Sequence, residues 1–131
     1  MPEMPIILVV EDEEPMQDIV RDALEEAGFD QTTVASGRDA VAMIESGVVK
    51  YSALVTDINL KGPMKGWEIA RLVRQIDPAF PIIYMTAGHG DQWPSRGVPN
   101  SILLTKPFAP AQLVTALSQL LNASPPTAPA Q

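Results

Sequence analysis

The chain has 131 residues, of which 46% are apolar and 19% charged, and its formal net charge is −7. This balance is typical of one globular domain and argues against direct binding to nucleic acid, which usually needs a clustered basic face. The absence of cysteine excludes disulfides and thiolate metal sites, and with no apolar run near the ~20 residues of a bilayer span and no export signal at the start, a cytoplasmic location is expected.

Along the chain, short apolar runs rich in β-branched residues alternate with amphipathic helical patterns. The runs predict strands at residues 6–10, 31–35, 51–56, 81–86 and 101–105. Three-and-four spacing predicts helices at residues 14–29, 36–47, 66–78 and 109–122. Ser36 is the expected N-cap of the second helix, and Ile19 and Ile76 are among the side chains expected to face the core.

The alternation of strands and helices predicts an α/β domain with a doubly wound parallel sheet and helices on both faces. The segment 87–100 carries two prolines and three glycines, so the fourth helix is expected to be short or distorted. We expect the domain to span residues 1–122, followed at 123–131 by a disordered Pro-rich tail or linker stub.

Polar residues end the predicted strands, where ligands bind in open parallel sheets. Glu11 and Asp12 follow the first strand, Asp57 ends the third, Thr86 ends the fourth and Lys106 follows the fifth. With strand order 2-1-3-4-5 the three carboxylates gather in one pocket, and their repulsion requires compensation by Lys106 and a hard cation. Mg²⁺ is the expected cation, and an Asp beside it can act as a nucleophile toward a phosphoryl group.

Four fragments, in this order and at these spacings, carry a family resemblance: ILVVEDE at 7–13, VTDINL at 55–60, MTA at 85–87 and KPF at 106–108. Together they resemble the receiver domain of bacterial two-component response regulators, similar to the chemotaxis regulators. The resemblance covers about residues 5–122 and implies a flavodoxin-like fold with five parallel strands in the order 2-1-3-4-5.

The resemblance also implies a role for each matched position. Asp57 would be the phosphoacceptor, Thr86 the switch hydroxyl and Lys106 the phosphate-binding ammonium. Asp57 and Asp12 would ligate Mg²⁺ directly, Glu11 would do so through water, and Asn59 would supply its backbone carbonyl. A cis peptide bond is implied between Lys106 and Pro107.

The partners implied are a histidine kinase or a histidine phosphotransfer protein as donor, and an unknown downstream protein. No membrane or nucleic-acid contact is expected, and the oligomeric state is open between a monomer and a weak dimer. The chain would be a stand-alone receiver or part of a longer protein, with catalysis limited to its own phosphorylation and slow dephosphorylation. Gly88 leaves the site little side-chain shielding, so we expect dephosphorylation to be relatively fast for the family.

Three features depart from the common family pattern. Lys61 stands where proline is usual, with Pro63 later and Gly66 one residue further on than expected. Leu103 replaces the usual aromatic residue, so the common aromatic rotamer switch cannot operate in that form. The irregular segment 87–100 falls in the region of the usual signalling face.

Other readings stay open from the residues alone. An Asp-nucleophile phosphatase of haloacid dehalogenase type would carry a second acid where Asn59 stands, and a flavodoxin-like cofactor binder would not place acids after its first strand. A phosphorylation-independent interaction module is a further alternative.

Glu13 and Glu14 are expected to serve only as helix N-terminal charges. His89 is expected to be an exposed loop residue, Trp67 a partly buried packing residue, and Trp93 a weak candidate for a partner surface.

Overall fold

The computed structural model describes residues 4–88 and 92–122. Its strands are β1 (Ile6–Val10), β2 (Asp30–Val34), β3 (Ala53–Asp57), β4 (Ile82–Thr86) and β5 (Ile102–Thr105). Its helices are α1 (Glu14–Glu26), α2 (Gly37–Ser46), α3 (Gly66–Ile76), α4 (Trp93–Arg96) and α5 (Pro110–Asn122). His89 and the 123–131 segment lie outside the described residues, so the predictions for them stay predictions.

The strands form one parallel sheet in the order β2-β1-β3-β4-β5, which confirms the predicted topology. Apolar side chains alternate between its two faces and build a core on each. Leu8, Leu54 and Tyr84 lie in the core covered by α2 and α3, and Val9 and Val55 lie in the core covered by α1 and α5. A sheet covered on both faces explains why its strands are apolar throughout.

Two side chains that were expected to face the core do not. Ile19 of α1 is 47% exposed and Ile76, the last residue of α3, is 54% exposed. The inner face of α1 is set by Val20 and Leu24, so Ile19 lies at the flank of the apolar stripe. Trp67 is buried more deeply than predicted, at 3% exposed, with its ring 4.7 Å from the ring of Tyr84.

The fourth helix has only four residues, which confirms the prediction that it is short. Hydrogen bonds from side chains, rather than a longer helix, stabilise the segment around it. Trp93 packs against the α2/α3 core and its Nε1 donates to Ser101 Oγ at 3.0 Å, so this tryptophan has a structural role that the surface prediction missed. Arg74 donates to the carbonyl oxygens of Phe80 and Pro99 at 2.7 and 2.6 Å.

Ser36 caps α2 as predicted, with its Oγ accepting a hydrogen bond from the Asp39 backbone N–H at 3.2 Å. Across the described residues, none of the helices is both long and apolar enough to span a membrane. The peptide bond between Lys106 and Pro107 is cis, as the resemblance implied.

Candidate phosphoacceptor site

The site lies at the carboxyl ends of the two central strands. Val10 of β1 is in register with Thr56 of β3, so the chain brings Glu11 and Asp57 side by side at the next position. Both strands are buried in the middle of the sheet, which fixes the backbone that carries these acids. Parallel strands thus deliver the acids that follow them to one edge of the sheet.

Asp57 is nearly buried, at 6% exposed. Its Oδ2 lies 3.5 Å from the Lys106 Nζ, and the Asn59 backbone N–H also hydrogen bonds to its carboxylate. Burial raises the pKa of the Asp57 carboxyl above its ordinary value, although Lys106 and Asn59 both favour the ionised form. A carboxylate in this position needs positive charge nearby to stay ionised.

Glu11 is fully buried and pairs with Lys106, whose Nζ lies 2.9 Å from Glu11 Oε1. The second oxygen, Oε2, accepts the Glu13 N–H at 3.2 Å, and the backbone carbonyl of Glu11 accepts Gln17 Nε2 at 2.6 Å. Burial raises the pKa of Glu11, with the hydrogen bond from Lys106 opposing it. For Lys106, burial lowers the pKa, but the bond to Glu11 and the charge of Asp57 outweigh burial and raise it overall.

Asp12 completes the acidic cluster, which we define as Glu11, Asp12 and Asp57. One carboxylate oxygen from each lies within 4.8 Å of the others. Asp12 Oδ2 also accepts the backbone N–H of Lys61 at 2.8 Å. With Lys106 included, the ionised cluster carries a net charge of −2, which a divalent cation would neutralise, and its all-oxygen donor set fits Mg²⁺. The residues therefore suit the metal that the sequence predicted.

A cleft of about 220 Å³ opens over these groups. Its lining is formed by Asp12, Glu13, Asp57, Asn59, Lys61, Ala87 and Lys106. The volume exceeds that of a cavity that holds one benzene molecule, roughly 150 Å³, so the cleft has room for a phosphoryl group. Glu13, the N-cap residue of α1, contributes to this lining, and its role as a helix N-terminal charge stays a prediction.

Thr86 lies at the end of β4, and Asn59 lies two residues after the end of β3. Thr86 is fully buried at the end of β4, and its Oγ1 accepts the Gly88 N–H at 3.4 Å. Its backbone carbonyl accepts the Lys106 N–H at 2.7 Å, which ties the end of β4 to the residue that carries the ammonium. Asn59 is exposed at the mouth of the cleft.

The unusual loop after Asp57 is held by close backbone packing. The Gly66 N–H donates to the Ile58 carbonyl at 2.9 Å, and Lys65 Nζ donates to the Leu60 carbonyl at 2.6 Å. A Cβ on Gly66 would overlap the Asp57 backbone oxygen and would lie 2.9 Å from the Ile58 Cα. Glycine at this position therefore allows α3 to begin directly against the strand end that carries Asp57.

Sequence reasoning missed two groups that shape the site. Gln17 anchors the Glu11 backbone, and its position one turn into α1 was the only available signal. Lys61 acts on Asp12 through its backbone N–H, and every residue except proline has such a group. Its side-chain type therefore gave no sign of the contact.

Comparison with known proteins identifies the family of this fold. The family model for the response regulator receiver domain matches residues 7–118. A response regulator receiver protein from Sinorhizobium medicae is similar in structure, with a TM-score of 0.89, 45% identity, and coverage of 92% of this chain and 97% of that one. The response regulator TrrA of Thermotoga maritima, solved in complex with Mg²⁺-BeF, has a TM-score of 0.80 at 26% identity, covering 89% of this chain and 99% of that one.

Curated relatives are longer. The transcriptional regulatory protein TcrA of Mycobacterium tuberculosis is 36% identical over 121 residues, which cover 91% of this chain and 47% of TcrA. The relative PhoP of Bacillus subtilis, the alkaline phosphatase synthesis transcriptional regulatory protein, is 30% identical and is covered to 51%. The chain thus spans about half the length of these curated relatives. Because the family model matches most of the chain, the chain belongs to the receiver domains of response regulators.

Proposed function

We propose that this receiver accepts a phosphoryl group on Asp57 from a histidine kinase or a histidine phosphotransfer protein. One observation carries the proposal: the Asp57 carboxylate lies at the base of an open cleft, 3.5 Å from the Lys106 ammonium and within reach of two further acids. A purely structural buried acid would be paired and closed off, whereas this one faces a space that can hold its substrate.

The chemistry follows from the groups around Asp57. An Asp57 Oδ attacks the phosphorus of a phosphohistidine, so an O–P bond forms while the P–N bond breaks. The imidazole nitrogen keeps the electron pair and takes up a proton. Lys106 lies where it can stabilise charge on the phosphoryl oxygens, and the Thr86 hydroxyl is proposed to bind one of them after transfer.

Asp12 and Asp57 would hold Mg²⁺ directly, with Glu11 acting through water and Asn59 through its backbone carbonyl. When bound, the cation would reduce the repulsion between the acidic cluster and the incoming phosphoryl oxygens. The residues of the chain meanwhile orient the nucleophile: Lys106 bridges Glu11 and Asp57, and the Asn59 N–H fixes the Asp57 carboxylate.

In the cell we place this receiver in the cytoplasm, with residues 1–122 as the signalling domain. Its output would be a change in the protein contacts that this domain makes. The net charge of −7 argues against direct DNA binding by this part of the chain. Beyond its own phosphorylation and dephosphorylation, no enzymatic activity is proposed.

The test is intact mass spectrometry after incubation with acetyl phosphate, with and without Mg²⁺. We expect one phosphoryl adduct that needs Mg²⁺ and is absent from Asp57→Asn. Asp22→Asn, which changes an exposed acid of α1 in the same way, is the matched control and should be labelled like the unaltered protein. Mg²⁺ binding without any adduct would contradict the proposal and would favour a phosphorylation-independent interaction module.

A further inference from the structure

The hydrogen bond between Asp12 and Lys61 joins the acidic cluster to the loop after β3. The Lys61 backbone N–H donates to Asp12 Oδ2 at 2.8 Å across 49 positions of sequence. Both residues also line the cleft. Asp12 is less buried than Glu11 and Asp57, so its carboxylate depends more on specific contacts for its orientation.

We propose that the Lys61 backbone N–H is a positioning group for the metal site, holding Asp12 so that its carboxylate is oriented toward the cation. This inference rests on the proposed Mg²⁺ site. The bond occupies one oxygen of Asp12 and leaves the other oxygen available as a ligand. Hydrogen bonds to metal-ligating carboxylates orient the ligand, and their loss typically weakens metal binding by about 10- to 100-fold.

The donor is well placed for this role because the loop around it is fixed. Lys65 Nζ anchors the Leu60 carbonyl at 2.6 Å, one residue before the donor. The Gly66 N–H closes the loop on the Ile58 carbonyl at 2.9 Å. Leu60 itself is buried in the α2/α3 core, at 1% exposed. Because the loop is already ordered, the hydrogen bond from the Lys61 N–H to Asp12 costs little additional conformational entropy.

The backbone and side chain of Lys61 can be tested separately. Lys61→Ala removes the ammonium from the cleft and keeps the N–H, whereas Lys61→Pro removes both. A comparison of these two variants isolates the N–H at constant charge. Because proline also restricts the residue before it, a semisynthetic protein with an ester in place of the 60–61 amide provides a second N–H deletion without the ring.

The experiment is calorimetric titration of each metal-free protein with Mg²⁺, after urea unfolding in EDTA has shown that each variant is folded. Lys61→Ala is the reference for Lys61→Pro, and the unaltered protein is the reference for the ester protein, because each pair differs at the N–H and has the same charge. Lys61→Pro and the ester protein are each expected to bind Mg²⁺ about 10- to 100-fold more weakly than their reference.

The outcomes separate this inference from the proposed function. Equal or tighter Mg²⁺ binding by folded Lys61→Pro relative to Lys61→Ala, and by the ester protein relative to the unaltered protein, would overturn the positioning role and leave the metal site intact. Failure of the unaltered protein to bind Mg²⁺ would instead overturn the metal site itself, and with it this inference.

Discussion

Replacement of Asp57 by asparagine should stabilise the metal-free protein at neutral pH, although it removes the proposed nucleophile. In the native protein the Asp57 carboxylate is nearly buried beside two other acids. Each of these acids offers an oxygen within 4.8 Å of an Asp57 oxygen, and repulsion between two unit charges at that limit costs about 3.5 kcal/mol at an effective dielectric of about 20. Attraction between the Asp57 carboxylate and the Lys106 Nζ at 3.5 Å stabilises the pair by about 5 kcal/mol at the same dielectric.

Burial is the largest influence on Asp57, and together with repulsion from Asp12 it outweighs the attraction to Lys106, because the pKa of the Asp57 carboxyl is raised overall. We expect Asp57→Asn to raise the free energy of unfolding by roughly 1–3 kcal/mol at pH 7 in EDTA, a typical size for removal of one unfavourable buried charge. Urea unfolding measures this change. Asp22→Asn, at an exposed surface pair, should change the free energy of unfolding by less than about 0.5 kcal/mol.

The same reasoning fixes the pH dependence. Burial raises the pKa values of Glu11 and Asp57 in the folded protein above those in the unfolded chain. At a pH between the unfolded and the folded value, the folded protein therefore keeps a proton that the unfolded chain has lost. The free energy of unfolding should then fall as the pH rises from about 4 through these raised values, with the full penalty present above them. Asp57→Asn should flatten this decline, and a variant that is less stable than the unaltered protein at pH 7 in EDTA would refute the electrostatic reasoning.

Three further predictions concern neighbouring positions. Lys106→Met leaves the buried Glu11 carboxylate without its cation and should lower the free energy of unfolding by about 3–5 kcal/mol in urea at pH 7; addition of Glu11→Gln should restore much of it. Gly66→Ala forces a methyl group against the Asp57 backbone and should lower the thermal stability, equivalent to about 1–3 kcal/mol, so an unchanged melting temperature would contradict the tight packing. Gly88→Glu should lengthen the lifetime of the phosphoryl adduct by shielding the site, and Gly88→Ala controls for the strain at φ +149°; equal lifetimes for the glutamate variant and the unaltered protein would exclude shielding.

Much of the fold could be predicted because the apolar runs and the strand-end acids both depend on local sequence. Asp57 was placed correctly at a strand end because a charged residue after a buried run is a strong local signal. The exposure of Ile19 and Ile76 could not be predicted from spacing alone. How far a helix extends along the sheet, and which flank it turns outward, depend on tertiary packing.

The hydrogen bonds around the site were beyond the reach of the sequence for a different reason. The bond from Lys61 to Asp12 spans 49 positions and uses a backbone group. The contacts that Arg74 makes with Phe80 and Pro99 also depend on where an irregular segment lies in space. Residue type and periodicity do not predict these hydrogen bonds, because their partners come together only when the strands are assembled.

Borohydride trapping of the phosphorylated protein tests the central claim most directly. Borohydride reduces an aspartyl phosphate to homoserine, so peptide mass spectrometry after reaction with acetyl phosphate and Mg²⁺ locates the modified residue. The account predicts homoserine at position 57 alone, dependent on Mg²⁺. Homoserine at position 12, or a phosphoryl adduct that borohydride does not reduce, would contradict the assignment of Asp57 as the phosphoacceptor.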